Sequence, residues 1–152
     1  FDFAPNYTPG RGIERMRVGT PPVLQMAALE AALDVWDGVD MQALRDASIA
    51  LQEQFIAGIE ARVPDLELAS PRDPHLRGSQ VSFRFEHGYA VMQALIHLDV
   101  IGDFRAPDIM RFGFTPLYLD AADVGLAVDR IEKVMRDRLW DQPQFKTRQR
   151  VT

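Results

Sequence analysis

The 152-residue chain contains no cysteine. Disulfides, thiolate metal ligands and a cysteine nucleophile are therefore excluded within it. Lysine is nearly absent, with Lys133 and Lys146 the two examples. Lys133 stands among Arg130, Glu132 and Arg136, and Lys146 lies near the end of the chain. Neither has the apolar surroundings that lower a lysine pKa for covalent chemistry. The three histidines (His75, His87 and His97) are dispersed, and none forms the i, i+4 pair of a helical zinc site, so no metal site is expected. No apolar run approaches the roughly 20 residues of a membrane span. Lysine and arginine total 17 against 22 acids, a net charge of −5, which argues against a nucleic-acid surface. The basic residues are scattered except for Lys146, Arg148 and Arg150, which read as a solvated tail. The chain carries no signal-peptide pattern and begins Phe1-Asp-Phe-Ala-Pro5, which is not a natural start. A processed piece or fragment of a cytoplasmic protein is expected.

What is present is an ordinary globular balance, 47% apolar and 26% charged residues. Residues 1–18 hold two prolines, two glycines and no helical period, and read as an extended connector. A domain over 19–142 and a tail over 143–152 are expected to follow. Gly19-Thr20-Pro21-Pro22 opens a helix that runs to Trp36 with Leu29, Leu33 and Trp36 on one face, and Gly38 ends it. A second helix spans Met41 to Arg62. Its buried stripe is Leu44, Ser48, Leu51, Phe55 and Ile59, and Pro64 stops it. Leu66 to Ser70 reads as a strand. In Gln80 to Phe85, Val81, Phe83 and Phe85 point one way and Ser82 and Arg84 the other. A helix over Tyr89 to Leu98 follows, then two short strands within Val100 to Tyr118, then a helix over Ala121 to Trp140. The order α-α-β-β-α-β-β-α predicts an α+β fold, a small and mostly antiparallel sheet covered by helices.

The Val100–Tyr118 stretch sets Arg111 among Ile109, Met110, Phe112 and Phe114. A guanidinium keeps its proton and, drawn into an apolar run, needs an anion. The nearest acid, Asp108, sits at the edge of the run. Two readings stand: an outward-facing arginine with its stem on apolar neighbours, or a fork for a ligand carboxylate. Thr20 precedes a helix start, where a hydroxyl is either a plain N-cap or a phosphate contact. Gly19 beside it admits a ligand close to the backbone. Arg77-Gly78-Ser79 reads as a turn, His87-Gly88 as a helix cap, and Gly102-Asp103 as a strand end or bulge without chemistry.

Four blocks in order then bear a resemblance. They are Tyr7-Thr-Pro-Gly10 through Gly12-Ile13 to Gly19-Thr-Pro-Pro22; Arg77-Gly-Ser-Gln-Val-Ser-Phe83; His87-Gly-Tyr-Ala-Val-Met-Gln-Ala-Leu95; and Val100-Ile-Gly-Asp-Phe-Arg-Ala-Pro107 with Ile109-Met-Arg-Phe-Gly-Phe-Thr-Pro-Leu-Tyr118. With these the chain resembles the C-terminal part of the kynureninases. That family is a pyridoxal-phosphate group of the aspartate-aminotransferase-like fold, among the class V aminotransferases. The resemblance implies hydrolysis of L-kynurenine, or its 3-hydroxy form, to anthranilate and L-alanine in tryptophan breakdown. It implies that Arg111 grips the substrate α-carboxylate and that Thr20, with Gly19 beside it, contacts the cofactor phosphate across a homodimer interface. The Schiff-base lysine, the aspartate facing the pyridine nitrogen and the aromatic residue over the ring would all lie upstream of Phe1. The resemblance thus places no catalytic residue in this chain and implies that it is inactive alone.

Two rivals are kept. A class V aminotransferase would use a similar arginine, whereas a cysteine desulfurase is excluded by the missing cysteine. A free-standing amino-acid-binding domain is the other.

Overall fold

The structure, a computed structural model, describes residues 5–17 and 19–147. Phe1 to Ala4 and Val18 of the expected connector, and Arg148 and Arg150 of the expected tail, lie outside the described residues. The chain divides into two compact units, one ending at Val39 and one beginning at Asp40.

The first unit holds a 3₁₀ turn over Gly12–Met16, helix α1 over Val23–Leu33 and a 3₁₀ turn over Asp34–Trp36. Gly38, at φ +76°, turns the chain out of the helix, a conformation that glycine adopts without a Cβ penalty. Helix α1 stops at Leu33, ahead of the expected Trp36, and the residues expected on one face, Leu29, Leu33 and Trp36, are 60%, 53% and 41% exposed. A run of Ala and Leu satisfies helix propensity whatever covers it, so the pattern alone carried no information about its cover.

The second unit is α+β, as expected. Helix α2 covers Met41–Arg62, and Asp40 caps it by accepting from the backbone N–H groups of Gln42 at 2.8 Å and Ala43 at 2.9 Å. Strand β1 is only Glu67–Leu68, β2 is Gln80–Arg84, and α3 is Gly88–Ile96. Strands β3, Asp103–Arg105, and β4, Ile109–Gly113, form a hairpin. Helix α4 spans Ala121–Arg136 behind a reciprocal cap between Asp120 and Asp123. It ends four residues before the expected Trp140, where Arg138 takes φ 50°. A short helix α5, Pro143–Lys146, occupies the start of the expected tail.

The sheet is antiparallel throughout, in the order β1-β2-β4-β3. The core-facing residues Val81, Phe83, Met110 and Phe112 are buried with Phe55, Ile56 and Ile59 of α2, Val91 and Leu95 of α3, and Val128 and Ile131 of α4. Phe55 is central, its ring centroid 5.1 Å from those of both Phe112 and Phe114 and 5.9 Å from that of Phe83. Because neighbouring residues of a strand point to opposite faces, burying this set turns Arg111, Ser82 and Asp103 to the other face of the sheet. Ser82 shares that face with Arg84 as expected but is itself buried.

Candidate functional site

Strand β4 alternates. Met110 and Phe112 are buried, while Arg111 between them leaves its side chain 28% exposed on the opposite face. The register aligns Arg111 with Ser82 of β2 on one side and Asp103 of β3 on the other. Arg111 Nε donates to Asp103 Oδ1 at 2.5 Å, and Arg111 Nη2 donates to Asp103 Oδ2. The acid beside Arg111 is therefore Asp103, across the hairpin, rather than Asp108, which is nearest in the sequence. Asp108, the acid singled out at the edge of the run, instead pairs with Arg84 at 3.3 Å. The missed signal was hairpin symmetry. Pairing Arg105 with Ile109 around the turn puts residues 103 and 111 opposite each other.

Gly102 makes this alignment possible. A Cβ at that position would stand 2.7 Å from the Arg111 carbonyl oxygen and 2.8 Å from Met92 Cε. The hydrogen bond from Arg111, with the charges of Arg111 and Arg105 adding to it, holds the Asp103 carboxyl below the usual carboxylate range against the opposing effect of burial. The same bond pushes the Arg111 pKa further above its already high value, so Arg111 is a cation at any working pH.

Thr20 and Gly19 are exposed and belong to the first unit, whereas Arg111 belongs to the second. The first helical residue is Val23 and the N-cap is Pro22, with no side-chain cap bond. Thr20 is therefore not the helix cap that the sequence allowed. The two prolines delay the helix start and leave the threonine hydroxyl outside it. A Cβ on Gly19 would meet nothing within 4 Å, so the backbone there is open to a ligand.

The remaining candidates resolve as structure. Arg77 is a clamp rather than a plain turn residue. Its side chain is 2% exposed, donates from Nε to Gln52 Oε1 at 2.8 Å and from Nη1 to the carbonyls of Pro71 and Arg72, and pairs with Glu53. His87 holds the N-cap position of α3 without a capping bond, and its ring stacks on Trp140 at 4.7 Å. Lys133 is exposed, and Lys146 pairs with Asp141. Among the described residues, no group of three His, Asp or Glu side chains is placed to hold a metal ion.

The family model of the kynureninase C-terminal domain matches residues 44–131, which contain both Arg111 and Asp103. The chain belongs to the kynureninase family. Over its whole length it is 46% identical to kynureninases of Burkholderia mallei strain SAVP1, Burkholderia pseudomallei strain K96243 and Pseudomonas fluorescens. Each match takes in all of this chain and 37% of the relative, so the chain spans well under half of the kynureninases it matches.

Proposed function

We propose that this chain is the carboxylate-gripping part of a kynureninase, which hydrolyses L-kynurenine or 3-hydroxykynurenine with one water to anthranilate, or its hydroxy form, and L-alanine. The observation that carries the reading is Arg111. It is an always-charged fork, held on the polar face of β4 inside the span that matches the family domain. In this role Arg111 binds the substrate α-carboxylate through paired N–H···O bonds. Fixing the carboxylate fixes which bond at Cα is turned toward the cofactor, and that alignment is the contribution of this chain's own residues.

Pyridoxal phosphate supplies the electron sink for breaking the Cβ–Cγ bond. Thr20 and Gly19 would hold its phosphate, through the hydroxyl and the exposed backbone. No catalytic residue is assigned within this chain. The exposure of Lys133 and the ion pair of Lys146 support a covalent lysine elsewhere and inactivity of the chain alone. A cytoplasmic homodimer is the proposed assembly. In its favour, Leu24, Leu29 and Leu33 of α1 present apolar surface of the kind that partners cover. No described helix is long and apolar enough to cross a membrane.

The test is turnover by the full-length protein loaded with pyridoxal phosphate. Anthranilate fluorescence should rise with L-kynurenine, or hydroxyanthranilate with the 3-hydroxy substrate, with one L-alanine formed per ring product. Transfer of the amino group to a keto acid, with no anthranilate formed, would instead establish an aminotransferase.

A further inference from the structure

A guanidinium offers five N–H groups, and a carboxylate meets it by two parallel bonds along the Nε–Nη2 side or across the Nη1–Nη2 end. Asp103 takes the side edge of Arg111, through Nε and Nη2. Among the described residues no acceptor meets Nη1, so the end edge keeps its two parallel N–H groups. Ser82, across the strand pair, accepts from Gln80 Nε2 at 3.1 Å rather than from the guanidinium.

We propose that Asp103 is a positioning residue that holds the Arg111 guanidinium by its side edge and thereby presents the Nη1–Nη2 end to the substrate α-carboxylate. The inference rests on the reading of Arg111 as the carboxylate anchor. An unheld arginine has four rotatable bonds to freeze when it binds, and a guanidinium already pinned to a strand-mounted carboxylate has fewer left to freeze. The pin is itself fixed by backbone: Asp103 lies in hairpin register with Arg111, and Gly102 brings the two strands together. Charge also fits. Arg105 Nη2 lies 3.8 Å from Asp103 Oδ2, so two guanidinium cations share one carboxylate and the trio keeps one positive charge for an incoming anion. An aspartate paired with Arg111 alone would have cancelled that charge.

The experiment compares two small competitors in the full-length, cofactor-loaded enzyme: L-alanine, which carries the carboxylate, and L-alaninamide, which does not. Dissociation constants are read by spectral titration, with cofactor absorbance and circular dichroism confirming each variant's fold. In the unmodified enzyme L-alanine should bind much more tightly than the amide. Asp103→Ala should weaken L-alanine by about tenfold or more through lost orientation and leave the amide unchanged. Asp103→Asn, which keeps one acceptor and nearly the same size, should fall between them and decides the matter if the alanine variant does not fold. Arg111→Leu is the control for the underlying reading and should erase the preference for the acid. If Arg111→Leu erases it but the Asp103 variants do not reduce it, the positioning role falls and the anchor stands. If Arg111→Leu leaves it intact, the anchor falls as well. Tighter L-alanine binding by Asp103→Ala would make Asp103 a competitor for the fork and overturn the proposal.

Discussion

Arg77 donates from Nε to Gln52 Oε1 at 2.8 Å, joining a loop arginine to a helix glutamine with both side chains shut off from solvent. The same guanidinium donates from Nη1 to the carbonyls of Pro71 and Arg72 and so ties down the loop. Arg77→Leu would leave Gln52 and those carbonyls without their donor. A loss of about 2–4 kcal/mol in unfolding free energy is expected, read by urea melts. A loss within about 0.5 kcal/mol, as at an ordinary surface site, would show that the clamp is not structural.

Asp103 and Arg111 link stability to pH in one direction. The Asp103 carboxyl is held below its ordinary value in the folded chain, while Arg111 stays charged. The pair's contribution is therefore present above the unfolded aspartate value of about 3.9 and is lost as pH falls through the lower, folded value. The melting-temperature gap between the unmodified protein and Asp103→Asn should be widest at neutral pH and close in strong acid. A gap that widens with acid would contradict this sign.

Gly102→Ala tests the close approach of β3 and β4. The new Cβ would collide with the Arg111 carbonyl oxygen, which is backbone and cannot swing aside, and with Met92. The variant should show both a lower melting temperature and a higher KM for the substrate, since the hairpin carries the Arg111–Asp103 alignment. A changed melting temperature with unchanged KM would separate hairpin packing from the site.

Much of the fold was legible because burial writes a period into the chain. The stripe of Ser48, Leu51, Phe55 and Ile59, ahead of Pro64, located α2, although Leu44 at its start is only half-buried. Strand β4 was legible as an apolar run, with Arg111 as its exception. The partner of Arg111 was not, because Asp103 gains its meaning only from a hairpin register set by the turn. Nor was the burial of Arg77, since a loop arginine looks solvated until the carbonyls around it are known. Helix α1 was legible from its alanine- and leucine-rich run, although that run says nothing about what covers it.

Thr20→Ala separates cofactor contact from helix capping. Pro22 is the N-cap of α1, so removing the Thr20 hydroxyl should change stability by less than about 0.5 kcal/mol. Retention of pyridoxal phosphate after dialysis of the full-length enzyme should fall. Full retention would remove Thr20 from the cofactor site.

The most direct measurement is steady-state turnover of L-kynurenine by Arg111→Leu in the full-length enzyme, beside the cofactor absorbance of the same sample. The absorbance should be preserved, because Arg111 is assigned to the substrate and not to the cofactor. The kcat/KM should fall by well over about tenfold, the loss of a paired charge that orients the reacting bond. Unchanged kcat/KM with the cofactor in place would contradict the assignment of Arg111 as the carboxylate anchor.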